Sequence, residues 1–151
     1  MSILIIQQAT IDDLEELYQI ERECFALEAF SKEQLTYLIR SPSSISLTAQ
    51  VGNKIAGFII GLIQKRGKTE TGHIFTLDVA VKHRRRGVGQ KLLEEFERIL
   101  KERNVTSCYL EVRAENAAAL KLYRKNRYVE VEQLKNYYDH RINGIRLKKT
   151  L

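Results

Sequence analysis

The stretch Lys82-His83-Arg84-Arg85-Arg86-Gly87-Val88-Gly89 sets a run of cations against a Gly-x-Gly, directly before the apolar-striped segment Gln90–Leu100. If that segment is a helix, its first N–H groups are unpaired and its N-terminus carries roughly half an elementary charge of positive sign. Cations at such an end are locally unfavourable unless an anion is expected there. Gly87 and Gly89 also remove side chains where a ligand must approach the backbone. The chemistry these residues offer is phosphate or diphosphate binding, with the backbone doing the holding and Arg84, Arg85 and Arg86 giving electrostatic help. A Walker A loop is disfavoured, because Gln90-Lys91 stands where Gly-Lys-Ser/Thr is needed. A dinucleotide fingerprint is disfavoured too, since its third glycine is replaced by Leu92. No aromatic residue interleaves the cations from Lys82 to Lys91, as a nucleic-acid patch would ideally have.

Three further residues could move protons. In the run YLEVR, strand alternation puts Leu110 and Val112 on one face, with Glu111 and Arg113 on the other. Glu111 is then either a solvent-facing carboxylate or a base. Tyr123 follows Asn116 by seven residues, two helical turns on and nearly the same face. It reads as a core aromatic whose hydroxyl can still point into a cleft. His73 begins the strand that leads into the basic turn.

Elements must position these groups. Ile3 to Ile6 reads as a short strand. Thr10 with Asp13 three residues on opens a helix striped by Leu14, Leu17, Ile20 and Cys24. A break at Ala26 to Phe30 precedes a second helix, opened by Ser31 and Gln34 and ended by Pro42. Ile45 to Val51 and Ile55 to Ile63 form a hairpin about Gly52-Asn53. A turn is expected over Gly67 to Gly72, then a strand His73 to Val81. The third helix runs from Gly87 to about Arg103, with Val88, Leu92, Phe96, Ile99 and Leu100 on one stripe. A strand from Ser107 to Ala114, a helix capped by Asn116, and strands 127–138 and 144–151 flanking a loop complete the order β-α-α-β-β-β-α-β-α-β-β. The strands on either side of the third helix are expected to be parallel.

Bulk composition sets the frame. A chain of 151 residues, 44% hydrophobic and 29% charged, without linker or repeat, predicts a single domain over 1–151. No apolar run reaches the roughly 20 residues of a membrane helix, and the N-terminus lacks signal-peptide features, so a cytoplasmic protein is expected. Cys24 and Cys108 are expected to be thiols, and three scattered histidines predict no metal site. The net charge of +6 points to an anionic partner without naming it.

The Arg84-x-x-Gly87-x-Gly89 pattern between strand and amphipathic helix resembles the pyrophosphate-binding motif of the GNAT family of N-acetyltransferases. The similarity continues through YLEVRAENAAALKLYRKNRY and LKNYY at the family's spacings. It is nearest to the ribosomal-protein-alanine and archaeal-type protein N-terminal acetyltransferases. The resemblance implies an α/β (α+β) fold, with a mixed, mostly antiparallel sheet of about six or seven strands and four helices. It implies acetyl-CoA as cosubstrate and no metal.

Acetyl transfer from a thioester to an amine needs a neutral amine, a donor to the oxyanion and a proton for the thiolate. The resemblance assigns Glu111 as the leading base, with His73 as a second candidate acting through water, and Tyr123 as the acid facing the coenzyme sulfur. It gives Asn116 to the pantetheine arm. Leu77, Asp78 and Val79 become the strand whose backbone pairs with that arm, and Arg84 to Gly89 the pyrophosphate cradle. It gives Phe25, in the loop between the first two helices, and Tyr137 and Tyr138 to the walls around a peptide. One departure is Asn126-Arg127-Tyr128 where the family commonly has Gly-Phe; Asn126 is expected to take a left-handed conformation there. The acceptor implied is a protein N-terminus, leaving open association with ribosomes or ribosomal proteins. Alternatives are a lysine side chain, a polyamine or another small amine, and, outside enzymes, a coenzyme-binding or nucleic-acid-binding module.

Overall fold

The computed structural model describes residues 3–139 and 141–151. The strands are β1 (Leu4–Gln8), β2 (Ser44–Val51), β3 (Lys54–Arg66), β4 (Thr69–Val79), β5 (Ser107–Arg113), β6 (Val129–Asp139) and β7 (Ile142–Thr150). The helices are α1 (Leu14–Phe25), α2 (Lys32–Arg40), α3 (Val88–Glu102) and α4 (Ala117–Lys125). The strands form one seven-stranded sheet in the order β1-β2-β3-β4-β5-β7-β6. Every pairing is antiparallel except β4 with β5, which α3 connects as a crossover.

Alternation along β3 divides the core. Phe58, Ile60 and Leu62 join Leu17, Ile20, Leu35 and Leu38 of α1 and α2. Ile59 joins Leu92, Phe96 and Leu100 of α3 and Leu120 of α4. The helices approach closely enough that a Cβ on Gly61 would lie 2.4 Å from the Phe96 ring. Local signals act as their chemistry dictates. The Ser31 hydroxyl accepts from Gln34 N–H while Ser31 N–H donates to the Gln34 side chain, a capping box that opens α2. Thr10 N–H donates to the Asp13 carboxylate at 2.9 Å, but a 3-10 turn, Ile11–Asp13, intervenes before α1.

Boundaries differ from the sequence expectation at three places. The turn after β3 is only Gly67-Lys68; Thr69 to Thr71 pair with Gln64 to Arg66 and extend β4. At its other end β4 stops at Val79, because Ala80 N–H returns to Ala56 and Val81–His83 form a 3-10 turn. The expected loop between the last strands is reduced, as Asp139 already pairs with Ile142.

Candidate active site

A β-bulge creates the site. Ile60 of β3 pairs with Thr76 and Gly61 with Ile74, so Phe75 is an extra residue in β4. The bulge bends β4 away from β5. Their pairing covers only Gly72, His73 and Ile74 against Cys108, Tyr109 and Leu110. Beyond it, Phe75 to Val79 have no strand on the β5 side, while Glu111 to Arg113 pair only with β7. A cavity of about 130 Å³ fills the opening, lined among others by Phe75, Leu77, Glu111, Asn116 and Tyr123. A larger cavity of about 670 Å³ adjoins it and shares Phe25, Leu77, Asn116 and Tyr123, so the two form one cleft.

On one side of the cleft a polar row crosses five strands. His73 stands opposite Tyr109 in the parallel register, ring centroids 4.1 Å apart and stacked. Its Nε2 lies 2.7 Å from Oε1 of Glu111, and its Nδ1 lies 3.2 Å from Oε1 of Gln64. The Tyr109 hydroxyl donates to the same Gln64 oxygen at 2.9 Å. With Nδ1–H given to Gln64, the bond between Nε2 and the carboxylate exists only with a proton between them. Arg146, the direct cross-strand partner of Glu111, donates from Nε to Oε2 at 2.9 Å and also reaches Glu132. Burial pushes the Glu111 carboxyl up, but the bonds from His73 and Arg146 together bring it below its ordinary value. Glu111 is thus an ionised group held by two donors. The resemblance names His73 and Glu111 but not Gln64 or Arg146, whose place depends on strand register.

On the other side stands Tyr123. Burial pushes its phenol upward, so it keeps its proton, and its hydroxyl has no partner among the described residues. The end of α4 fixes it. Tyr128 N–H bonds to Tyr123 O and Arg127 N–H to Arg124 O, both at 3.0 Å, which is a Schellman motif. The accompanying apolar contact is the edge-on packing of Tyr123 and Tyr128, centroids 5.5 Å apart. The left-handed residue is Arg127 (φ 72), not Asn126 (φ −93) as expected. Asn126 instead exchanges two side-chain hydrogen bonds of 2.8 Å with Gln90, tying α4 to α3. Asn116 caps α4, its Oδ1 accepting from Ala119 N–H at 3.1 Å, and also lines both cavities.

The basic turn closes the far end of the larger cavity. Gly87 is left-handed at φ 78, and no side chain caps α3, in contrast to α2 and α4. Arg85, Gly87, Val88 and Gly89 line the cavity, as do Lys121 and Lys125 of α4. Those two lysines stand four residues apart on one helix face, a spacing legible in the sequence. Arg84 lines it too, but its Nε donates to Val79 O at 3.0 Å and its Nη2 approaches Cys24 Sγ at 3.4 Å. It closes the turn onto β4. Arg86 lies outside both linings. Leu77 and Val79 border the cleft, whereas the side chain of Asp78 is buried away from it. The Cys24 thiol is pushed up to about 11, chiefly by burial, and is neutral.

Phe25 and Tyr138 line the cleft; Tyr137 stands outside it, edge-on to Tyr138 at 4.9 Å and half exposed. These tyrosines sit within β6, at a bulge where Asn136 takes φ 55 and its N–H donates to Asn143. A pair that sequence reading missed faces the same space. Arg113 meets Glu28 at 2.8 Å, and Glu28 Oε2 is buried with no hydrogen-bond partner among the described residues. Among those residues no cluster of His, Cys, Asp and Glu could hold a metal ion.

Comparison with known proteins agrees with this geometry. Residues 14–127 match the acetyltransferase (GNAT) family. The N-terminal acetyltransferase B complex catalytic subunit of Arabidopsis thaliana is 30% identical over 120 residues, 78% of this chain and 68% of that protein. The ribosomal protein bS18-alanine N-acetyltransferase of Salmonella typhimurium is 32% identical over 126 residues, 83% of this chain and 81% of that protein. The crystal structure of the ribosomal-protein-S18-alanine N-acetyltransferase from Escherichia coli superposes with a TM-score of 0.89 at 26% identity, covering 98% of this chain and 94% of that one. The chain is therefore a member of the acetyltransferase (GNAT) family, an enzyme that moves an acetyl group onto an amine.

Proposed function

We propose that the enzyme acetylates the N-terminal α-amine of proteins, with acetyl-CoA as the donor and the whole chain acting as one catalytic domain. The observation that carries this is that one small cavity is lined by both Glu111 and Tyr123, an ionised carboxylate and a protonated phenol, where two strands part. The donor fits the adjoining cavity. The unpaired β4 edge at Leu77 and Val79 can accept an extended amide-bearing arm as an added strand. The uncapped start of α3, with Gly87 and Gly89, suits a diphosphate, and Arg85, Lys121 and Lys125 supply charge.

When bound, acetyl-CoA supplies an activated thioester carbonyl. The chain's own residues do the rest. The Glu111–His73 pair takes the proton that the attacking amine loses as its nitrogen bonds to the carbonyl carbon. An α-amine has an ordinary pKa of ~8, so a single weak base suffices. Tyr123 gives its proton to the sulfur as the carbon–sulfur bond breaks. Arg146 and Gln64 orient the basic pair from behind. The unpartnered Glu28 oxygen supplies a counter-charge for the arriving ammonium, and Phe25 and Tyr138 wall the peptide. The relatives named for protein N-termini support an α-amine acceptor over a lysine side chain. Two free thiols support a cytoplasmic site of action, and among the described residues no helix is long and apolar enough to cross a membrane.

The test is acetylation of a panel of free-α-amine peptides, a ribosomal-protein N-terminus among them, against lysine-bearing peptides with blocked N-termini. Turnover confined to the free-amine set is the expected result, and turnover confined to the blocked set overturns the proposal.

A further inference from the structure

Beneath the loop that joins α1 to α2 lie two carboxyl groups that the chemistry above does not use. Glu21 of α1 and Asp78 of β4 are each 1% exposed. Thr76 stands between them. Its hydroxyl is 2.8 Å from Glu21 Oε1 and also in hydrogen-bond contact with Asp78 Oδ1. The other Glu21 oxygen accepts the backbone N–H of Phe30 at 3.0 Å. Asp78 Oδ2 is buried without a partner among the described residues.

A hydroxyl carries one hydrogen and cannot donate to two carboxylates at once. Both contacts to Thr76 are hydrogen bonds only if one acid keeps its proton. Asp78 is that acid. Glu21 already has two donors, whereas an ionised Asp78 would leave a buried charge with an orphaned oxygen. The chain of donors then runs from Asp78 Oδ1–H to Thr76, from Thr76 to Glu21, and from Phe30 N–H back to the same carboxylate. Burial first, then the nearby Glu21 charge, raises the Asp78 carboxyl well above its ordinary value, in agreement with this order. The titratable groups facing Asp78 are Glu21 and Cys24 from α1, Arg84 from the basic turn and Tyr123 from α4. Arg84 alone favours ionisation, and it is exposed to solvent.

The far end of this chain is the loop over the cleft. Phe25, Glu28 and Phe30 line the smaller cavity, as does Glu21 itself. The loop contains Ala26 at φ 45, a conformation that alanine does not hold without support from its surroundings. We infer that Asp78, Thr76 and Glu21 are positioning residues, in which one retained proton ties the acceptor-side loop to β4 and so sets the affinity for the acceptor. This rests on the reading of that loop as an acceptor wall.

The test uses the full chain with Thr76→Val, which keeps shape and removes the link, and Asp78→Asn, which offers a neutral N–H donor at every pH. Readouts are the exchange protection of the Phe30 amide and the steady-state KM for a free-α-amine peptide. In Thr76→Val, Phe30 protection should fall and peptide KM should rise about tenfold, the effect of one buried hydrogen bond, with acetyl-CoA KM unmoved. In wild type, Phe30 protection should fall as pH rises through the raised value of the Asp78 carboxyl and removes the proton. The ratio of wild-type to Asp78→Asn peptide KM should rise over the same range, ionisation of the peptide cancelling between the two. Wild-type Phe30 protection in Thr76→Val, or a flat ratio, overturns the inference. If Thr76→Val does not fold, the pH comparison decides alone. Absence of wild-type activity on the peptide would instead overturn the acceptor reading, which the Phe30 exchange does not depend on.

Discussion

Replacing Glu111 by Gln tests the division of labour in the cleft most directly. The carboxylate holds His73 at 2.7 Å and Arg146 at 2.9 Å, and its side chain is 9% exposed. A glutamine is nearly isosteric but has one acceptor. Its oxygen must face Arg146, which only donates, so its NH2 group faces His73 Nε2. The amide, unlike the carboxylate it replaces, has no basic oxygen to take the proton that the amine loses. Both bonds lose the carboxylate's charge, the one from Arg146 keeping its cationic donor, a loss of about 1 kcal/mol each. This is small against the 5–15 kcal/mol of a typical domain, so the variant should fold. Loss of general-base catalysis should lower kcat by about 100-fold or more. Acetyl-CoA affinity should stay within about twofold, equivalent to less than 0.5 kcal/mol, because Glu111 does not line the larger cavity.

The assay is steady-state release of free CoA with a free-α-amine peptide, beside calorimetric titration of acetyl-CoA and a thermal melt. The pH dependence carries a sign. Glu111 is depressed in the folded protein, so its contribution to stability is present above the ordinary glutamate value of about 4.3 and is lost as pH falls below it. The stability gap between wild type and Glu111→Gln should therefore be flat at neutral pH and close on acidification. A folded variant that turns over within threefold of wild type would falsify the assignment of Glu111, whatever its affinity for acetyl-CoA.

Tyr123→Phe should lower kcat by about tenfold or more without weakening acetyl-CoA binding, and since burial raises its phenol, wild type should show no loss of rate from Tyr123 below about pH 10; rate profiles check both. Gly89→Ala should melt like wild type, because its Cβ would meet only Leu122 at 3.4 Å and Val79 at 3.6 Å, yet it should weaken acetyl-CoA in titration, and Gly89→Trp should abolish binding. Gly61→Ala, whose Cβ would lie 2.7 Å from the backbone oxygen of His73 as well as against Phe96, should cost about 1–3 kcal/mol in denaturant unfolding. Asp78 retains its proton in the fold, so its contribution is fully present below the ordinary aspartate range and drains as pH rises to its raised value. Melts of Asp78→Asn should accordingly gain on wild type with pH, by about 1.4 kcal/mol per pH unit within that window.

How far the sequence reaches depends on whether a feature is local. Helix ends and hairpin turns are chosen by residues a few positions apart, and Ser31 with Gln34, Gly52-Asn53 and Asn116 act where their types predict. Alternation along YLEVR sorts Glu111 from Leu110 and Val112 for the same reason. The misplaced ends of β4 show the limit. Thr69 to Thr71 read as turn residues but pair with β3, because the ladder offers their backbone partners that no local preference outweighs. The left-handed residue after α4 is likewise selected by the 6→1 and 5→2 bonds of the whole turn, and these place it at Arg127 although asparagine tolerates the conformation better.

The site is legible in part because it combines both kinds of information. A glycine turn before a helix and a tyrosine on a capped helix are local patterns. The bulge at Phe75 is not, since a bulge is a mismatch between two strands, and a single strand carries no sign of it. Yet that one inserted residue opens the β4 edge, places Thr76 and Asp78 under α1, and leaves Glu111 without a β4 partner in the strand ladder. Gln64, Arg146 and Glu132 enter the polar row for the same reason: β3, β7 and β6 bring them beside His73 and Glu111 only in the assembled register. The chemistry-bearing residues could be named from the family resemblance, while the groups that hold them come from pairings separated by nine to 38 positions in the chain. Substitutions in that supporting row should therefore shift pH profiles more than they shift coenzyme affinity. Arg146→Met, which removes one of the two donors to Glu111, should move the acid limb of kcat upward, and an unmoved limb would show that the carboxylate owes its ionised state to His73 alone.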